Sequence, residues 1–142
     1  MKQFIVLLIA GIAISTTVCA QKIDASKVPV AVKESFTKKF PGITPKWEME
    51  DGKYEAGFDQ QKHEMSVLIE ANGSIIETET EISIVELPAP VTAYLKKNHP
   101  GVKIKEAAKI TKADGEVNYE AEVKGSDLIF DSKGIFLKQV KE

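Results

Sequence analysis

Apolar residues recur every four positions in two stretches of the chain. The two stripes are Val28, Val32, Phe36 and Phe40, and Leu87, Val91 and Leu95. This spacing places the apolar side chains along one side of a helix. A proline stands near the start of each stretch, and Pro-Gly follows its end, as is typical of helix boundaries. The pattern therefore predicts two short amphipathic helices.

The two stretches are copies of one unit. "VPVAVKESFTKKFPGI" (28–43) aligns without a gap on "LPAPVTAYLKKNHPGV" (87–102), an offset of 59 residues. "YEA" recurs at 54–56 and 119–121, and "ANG" at 71–73 corresponds to "SKG" at 132–134. The chain is therefore predicted to contain one structural unit twice.

After each helix the apolar period changes from four to two, which indicates antiparallel strands with one buried face. In the first unit the strands are predicted at 44–50, 53–59, 63–71 and 74–82. "DG" at 51–52 and "NG" at 72–73 are hairpin signals, and "DQQKH" (59–63) is read as a polar loop. The second unit repeats the plan, with "DG" at 114–115, a turn near Gly125, and a last strand "IFLKQVK".

The predicted fold class is α+β. Two tandem units, each a helix plus four antiparallel strands, form one eight-stranded sheet with both helices on one face and the other face open, since one such unit alone buries little surface. Alternating aromatic residues are assigned to the sheet face under the helices; they are Trp47, Tyr54, Phe58, Tyr119, Phe130 and Phe136.

The first twenty residues read as a secretory leader. Lys2 precedes an uncharged apolar run at 4–14, and Val18 and Ala20 suit a signal peptidase. Cleavage is predicted after Ala20, leading to a periplasmic or secreted protein without a transmembrane span. Cys19 offers an alternative as a lipid-bearing cysteine, but Val18 before it does not fit lipoprotein processing, so simple cleavage is favoured.

The predicted mature chain excludes several kinds of chemistry. It has no cysteine, which removes disulfides, thiolate catalysis and thiolate metal sites. Its 18 basic residues, all lysine, stand against 21 acidic ones, a net charge of −3. Because base and phosphate recognition depend heavily on arginine, we expect no nucleic-acid partner.

No catalytic motif is present. His63 stands near a predicted loop, and His99 takes the position of Phe40 in the other unit, where an exposed histidine at a helix end favours the helix dipole. There is no G-x-S-x-G, H-E-x-x-H or phosphate-binding loop. The chain is therefore predicted not to be an enzyme, with no cofactor and no catalytic residue.

Glu77, Glu79 and Glu81 stand at a spacing of two, so their carboxylates share one face of a strand. The favoured interpretation is a solvated outer strand that discourages edge pairing. A second is that they face lysines of the other unit, namely Lys103, Lys105 or Lys109. The third is a divalent-cation site, for example for calcium, although such sites also draw oxygens from tight loops.

The proline, Pro-Gly, D-G and "YEA" signals together resemble the PepSY-like domain family, in particular its tandem beta-lactamase-inhibitor-like proteins. The resemblance covers residues 26–142, with unit 1 at 26–83 and unit 2 at 84–142 after the leader at 1–20. It implies two helix-plus-sheet units in one curved sheet and a non-catalytic role in or outside the cell envelope. The beta-lactamase inhibitor protein, which the family resembles, has units that carry cysteines, and residues 21–142 have none. No inhibitory residue is therefore transferred to this chain.

These observations predict a monomeric module whose open sheet face binds another protein or a peptide. Its sharper form is an inhibitor or regulator of an extracytoplasmic enzyme. The alternative is an envelope module that binds a small ligand or a divalent cation, with Glu77, Glu79 and Glu81 as the binding surface.

Overall fold

The structure, a computed structural model, describes residues 21–141. Its two α-helices are α1 (Val30–Lys39) and α2 (Ala89–Asn98). The strands are β1 (Gln21–Ile23), β2 (Lys46–Glu50), β3 (Lys53–Gln60), β4 (His63–Ile69), β5 (Ile75–Glu81), β6 (Ala107–Lys112), β7 (Val117–Glu122), β8 (Ser126–Asp131) and β9 (Phe136–Lys141). The predicted leader, its cleavage after Ala20 and the possible lipidation of Cys19 lie outside the described residues.

The strands form an antiparallel sheet in which they follow their order along the chain, from β1 to β9. The α+β class is thereby confirmed, with nine strands where the sequence predicted eight. The additional strand is β1, which pairs Ile23 with Trp47 and Gln21 with Met49. Three residues are too few to show a period of two, so this strand leaves no pattern in the sequence.

The chain divides into two compact units between Thr78 and Glu79, within β5. The predicted repeat is confirmed in the helices, since α1 and α2 begin 59 residues apart and have ten residues each. The short 3₁₀ turns before them, Ala25–Lys27 and Ile84–Glu86, keep the same offset. Each unit therefore has its own helix and its own core.

In unit 1, α1 packs its predicted stripe against β2, β3 and β4. Phe36 is 1% exposed, and its ring lies 5.4 Å from that of Phe40, 5.7 Å from Trp47 and 5.2 Å from Phe58. Val32, Ala56, Val67 and Ile69 complete the buried cluster, with no exposed surface. A core of tilted and edge-on aromatic rings gains both burial and favourable ring geometry.

In unit 2, the stripe Leu87, Val91 and Leu95 is buried as predicted. The aromatic cluster is built differently, because His99 replaces the phenylalanine that ends the first stripe. Tyr94 fills this region, stacked at 4.9 Å on Phe136 and edge-on at 5.4 Å to Phe130. In both units the predicted sheet aromatics contact the core cluster under the helix; these are Trp47, Tyr54, Phe58, Tyr119, Phe130 and Phe136.

The helix boundaries follow from the proline and glycine residues. Pro29 and Pro88 are the residues immediately before the helices, in extended backbone, and each carbonyl accepts a first helical hydrogen bond. At the other ends, Gly42 and Gly101 have φ of 79° and 73°, which glycine adopts without strain. Before α2, Ser83 and Glu86 form a capping box, with the Glu86 carboxylate accepting from the Ser83 N–H at 2.8 Å.

One predicted loop is wrong. The polar stretch 59–63 is a tight two-residue turn, with β3 running to Gln60 and β4 starting at His63. The two turn residues, Gln61 and Lys62, have φ of 51° and 69°. A left-handed backbone conformation is costly for residues other than glycine, asparagine and aspartate, so sequence rules do not predict this turn.

Candidate functional site

The two histidines lie at element ends. His63 is the first residue of β4 and is exposed. His99 is the C-cap of α2 and is half-buried, with its ring 6.4 Å from that of Tyr94. The predicted helix-end position of His99 is confirmed, but its predicted exposure is only partial because Tyr94 packs beside it.

The carboxyl group of Asp24 has a shifted pKa. Hydrogen bonds from the Ser26 side chain and from the Ser26 N–H, the latter 2.8 Å from Asp24 Oδ1, hold the pKa of Asp24 below its ordinary value. Asp24 is the N-cap of the 3₁₀ turn Ala25–Lys27. The shift is therefore the result of a structural cap, not of a site that converts a substrate.

The favoured interpretation of the carboxylates in β5 is wrong. Glu77 and Glu79 are each 4% exposed, and Glu81 is half-buried. In the strand order β5 lies between β4 and β6, so it is an interior strand and not an outer one. Between the two glutamates, the Thr78 hydroxyl accepts a hydrogen bond from Lys39 Nζ at 3.0 Å. These glutamates are therefore part of the folded interior and not a solvated edge.

The cation interpretation of Glu77, Glu79 and Glu81 stays a prediction. Among residues 21–141, no group of three or more histidine, cysteine, aspartate or glutamate side chains is arranged to hold a metal ion.

The second interpretation is that these glutamates face Lys103, Lys105 or Lys109. Of these lysines, Lys105 donates to Glu122 Oε1 at 2.5 Å. That glutamate side chain is 5% exposed and the lysine 57%, so the pair connects a buried carboxylate to the surface.

The strand register identifies the sheet face opposite each helix. In unit 1 this face has two pairs of carboxylates directly opposite each other, Glu48 with Glu55 and Asp59 with Glu64. In unit 2 it has Glu122 opposite Asp127. Directly opposed like charges disfavour strand pairing unless a cation lies nearby, and in unit 2 Lys105 supplies one to Glu122.

The centre of the face opposite the helices is nevertheless buried. Leu68 in unit 1 is 3% exposed, and Ile110 and Ile129 in unit 2 are 6% and 8% exposed. The carboxylate of Glu55 is buried as well. An exposed apolar patch, the usual mark of a contact surface, therefore has to be sought elsewhere.

Exposed large apolar side chains are concentrated in unit 2. Among residues 21–141 there are five, and four of them lie in two short segments of this unit. The five are Val30 (64% exposed) in unit 1, and Ile84 (40%), Val85 (91%), Ile135 (59%) and Leu137 (50%) in unit 2. Single exposed apolar residues are ordinary, but this grouping is not.

Ile135 and Leu137 lie at the start of β9, the last strand of the sheet. The register passes from Phe130 opposite Phe136 to Ile129 opposite Lys138, so Leu137 is the extra residue of a β-bulge. Phe136 is directed to the core, where it stacks on Tyr94. The two neighbours of Phe136 consequently remain at the surface.

The turn before β9 is held against the first turn of α2. A Cβ atom added to Gly134 would lie 2.9 Å from Pro90 Cβ and 3.2 Å from the Val91 nitrogen, so only glycine allows this approach. The Asp131 carboxylate also accepts from the backbone N–H of Lys133 and of Ile135, at 2.9 and 2.8 Å. Ile135 is thus presented by a rigid turn. We call Ile135 together with β9 the unit 2 edge.

Sequence reasoning missed this edge, although a signal was available. "GIFLK" contains three consecutive apolar residues, Ile135, Phe136 and Leu137. In an alternating strand such a run cannot be buried on one face, so at least one member has to be exposed or accommodated by a bulge.

Comparison with known protein families identifies the family to which this chain belongs. The family described as "Putative beta-lactamase-inhibitor-like, PepSY-like" matches residues 14–77 and 52–138. The chain belongs to this PepSY-like family. The two overlapping matches agree with the two repeated units and confirm the resemblance inferred from the proline, Pro-Gly and "YEA" signals.

Solved structures of similar proteins come from Bacteroides. A BLIP-like protein from Bacteroides fragilis is 26% identical, with a TM-score of 0.64 over 78% of this chain and 84% of that one. A structure from Bacteroides eggerthii, described as "putative periplasmic proteins", has a TM-score of 0.71 at 16% identity, over 79% and 87% of the two chains. A DUF2874 family protein from Bacteroides ovatus has a TM-score of 0.69 at 21% identity, over 78% and 85%. The last two show the PepSY-like fold alone.

No curated protein matches the chain. Among the described helices of this PepSY-like protein, neither is long and apolar enough to cross a membrane.

Proposed function

We propose that this PepSY-like protein is a non-catalytic extracytoplasmic module that binds another protein, and that the unit 2 edge is part of its binding surface. The family and the BLIP-like and periplasmic neighbours support the extracytoplasmic, non-catalytic part of this proposal. The leader predicted at 1–20 supports export with cleavage after Ala20, and attachment through Cys19 is the less favoured route.

The observation that carries the proposal is the exposure of Ile135 and Leu137 on either side of a core residue. Each is at least half exposed, whereas Phe136 between them contributes to the aromatic cluster of unit 2. A partner that covers both side chains removes their apolar surface from water, which favours association. The rigid turn at Gly134 lowers the conformational cost of that association because the segment is already ordered.

The sharper form of the proposal is that the partner is an extracytoplasmic enzyme which the module inhibits or regulates. Support comes from the family, which is described as putative beta-lactamase-inhibitor-like, and from the BLIP-like relative from Bacteroides fragilis. The composition favours a protein partner over a nucleic acid, because the chain contains no arginine. We propose that the module itself is a monomer.

The test is a crosslinking capture from envelope extract with the full chain, expressed with its N-terminal segment. The bait is compared with an Ile135→Asp/Leu137→Asp variant and with Val30→Asp. Val30 is the matched control, because it is equally exposed but lies on α1 of unit 1. We expect one enriched protein whose capture is lost with the double variant and retained with Val30→Asp.

Two results would contradict the proposal. One is capture that is equal for all three baits, and the other is the absence of a specific partner under several salt and calcium conditions. Circular dichroism of each variant shows whether the fold is intact, which is required for the comparison.

The cation-binding alternative is separated by a different measurement. A module that binds calcium melts at a higher temperature with calcium and at a lower one with a chelator. Because Glu77 and Glu79 are buried, replacing them would disturb the fold and could not serve as an interface control. Thermal melts of the unmodified chain are therefore the appropriate test.

A further inference from the structure

The outer side of β9 is available for pairing with another strand. Among residues 21–141, β9 is the last strand in the sheet order, and it has six residues. Within residues 21–141, the only strand that pairs with β9 is β8. A long edge strand presents backbone N–H and C=O groups that can bind an extended segment, and a very short one does not.

The strand of the first unit that is equivalent to β9 has a further strand beside it. β9 occupies in unit 2 the place that β5 occupies in unit 1, since each follows the equivalent turn, at Gly73 and at Gly134. Among the strands of residues 21–141, β5 is followed in the sheet order by β6, and β9 is the last. Within the described part of the chain, β5 therefore has a strand on both sides, whereas β9 pairs on one side only.

The charged side chains near β9 determine which kind of segment pairs favourably with this strand. Residues 132–141 contain three lysines and no acidic residue, and Lys133, Lys138 and Lys141 are all exposed. Edge lysines discourage pairing with neutral or basic strands. They favour an approaching segment that carries carboxylates, because opposite charges across a strand pair are attractive.

A second copy of this chain fits poorly. A β9 strand facing another β9 brings Lys138 and Lys141 of each copy close to those of the other. The other sheet edge, β1, has Lys22 at its centre and no acidic residue. Both self-pairings place lysine near lysine, which opposes association.

We propose that the partner segment is an extended strand with alternating acidic and apolar residues, added to the outer side of β9. This inference rests on the proposed function and specifies its binding mode. Ile135 and Leu137 supply apolar contact, and the backbone of β9 supplies hydrogen bonds. Lys141 pairs with Ser126 on the helix side and Lys138 with Ile129 on the other side, so the carboxylates of an alternating segment meet one of these two lysines.

The test uses two labelled seven-residue peptides, one alternating glutamate with valine and one alternating lysine with valine. Their binding to the full chain is followed by fluorescence polarisation at low salt. We expect the glutamate peptide to bind and the lysine peptide not to bind. A Lys138→Glu/Lys141→Glu variant should bind the glutamate peptide about tenfold more weakly or worse, and should now bind the lysine peptide.

The matched control is Lys96→Glu/Lys97→Glu, which makes the same change of charge on the exposed last turn of α2. It should leave glutamate-peptide binding within about twofold, because neither lysine lies on β9 and so neither is placed next to an added strand. If the reversed variant does not fold, Lys138→Gln/Lys141→Gln replaces it, with weaker binding of the glutamate peptide expected.

Strand addition has its own readout. A glutamate peptide N-methylated at every residue has no backbone N–H group on either side, so it should no longer bind. Unchanged binding of this peptide would overturn strand addition, and equal binding to the charge-reversed variant would overturn the charge selection. No binding of the glutamate peptide overturns both, and a dimer that dissociates on Leu137→Asp would place a second copy at this edge.

These outcomes are separate from the capture experiment. If the partner is lost on Ile135→Asp/Leu137→Asp but the N-methylated peptide still binds, the proposed function stands and strand addition is wrong. If the peptides behave as expected but no partner depends on Ile135 and Leu137, the edge binds strands while the proposed function fails.

Discussion

Two glycines have almost the same backbone conformation but different surroundings. Replacing each with alanine therefore separates the cost of a steric contact from the cost of backbone strain. Gly73 and Gly115 have φ of 89° and 88°, and each closes a hairpin with the same hydrogen bonds. The Gly73 N–H donates to Glu70 O at 2.8 Å, and the Gly115 N–H donates to Lys112 O at 3.0 Å. Their surroundings differ, because Gly73 contacts α1 and Gly115 has open space around it.

Alanine at the two positions should therefore have unequal effects. Left-handed backbone costs alanine about 1–2 kcal/mol, and restriction of the unfolded chain returns about 0.4–1 kcal/mol. Gly115→Ala should thus lower the free energy of unfolding by about 1 kcal/mol. In Gly73→Ala the new Cβ lies 2.7 Å from the Ala31 carbonyl oxygen, and relief of such overpacking adds about 1–3 kcal/mol.

The assay is urea denaturation of both variants, followed by the fluorescence of the single tryptophan and by circular dichroism. Gly73→Ala should be the less stable variant by about 1–3 kcal/mol. Ser35→Ala in the Gly73→Ala background should restore little, because it removes the Oγ contact at 2.9 Å but leaves the Ala31 carbonyl in place. Equal stability of the two alanine variants would refute the close packing of this turn on α1.

Three further effects follow from single contacts. Phe36→Ala should cost about 3–5 kcal/mol in urea denaturation, because it leaves a cavity among three aromatic rings. Lys105→Ala should destabilise the fold by about 1 kcal/mol, and by clearly less in the Glu122→Gln background, which a double-mutant cycle measures. Asp24 has a lowered pKa, so its cap stabilises fully above the ordinary aspartate pKa and is lost as the pH falls through the lowered value. An NMR titration of its carboxyl carbon, with Ser26→Ala as control, checks the sign.

The parts of the fold that follow from local physics could be predicted from the sequence. The period of four in residues 28–40 and 87–95 identified both helices and their buried sides. Asp51 and Gly52 form the predicted hairpin turn with φ of 48° and 73°. In these cases a few neighbouring residues determine the conformation, so reading them in order is sufficient.

The parts that were missed depend on residues distant in the sequence. β1 has three residues, and only its pairing with β2 makes it a strand. The turn at Gln61 and Lys62 adopts left-handed backbone that neither side chain prefers, and the seven cross-strand pairs of β3 with β4 impose it. Tertiary pairing overrides local preference at both places.

The candidate site shows the same limit most clearly in β5 and β9, which occupy equivalent places in the repeat. Alternation predicts that each is a strand, but it does not say which strand has a neighbour on both sides. β5 was expected at an edge because of its glutamates, yet Glu77 and Glu79 are buried in an interior strand. β9 has no comparable run of charges, yet Ile135 and Leu137 are exposed at the edge of the described sheet. A terminal strand that keeps exposed apolar residues forgoes stability that burial would give, and a partner strand is the physical means by which that surface can be covered.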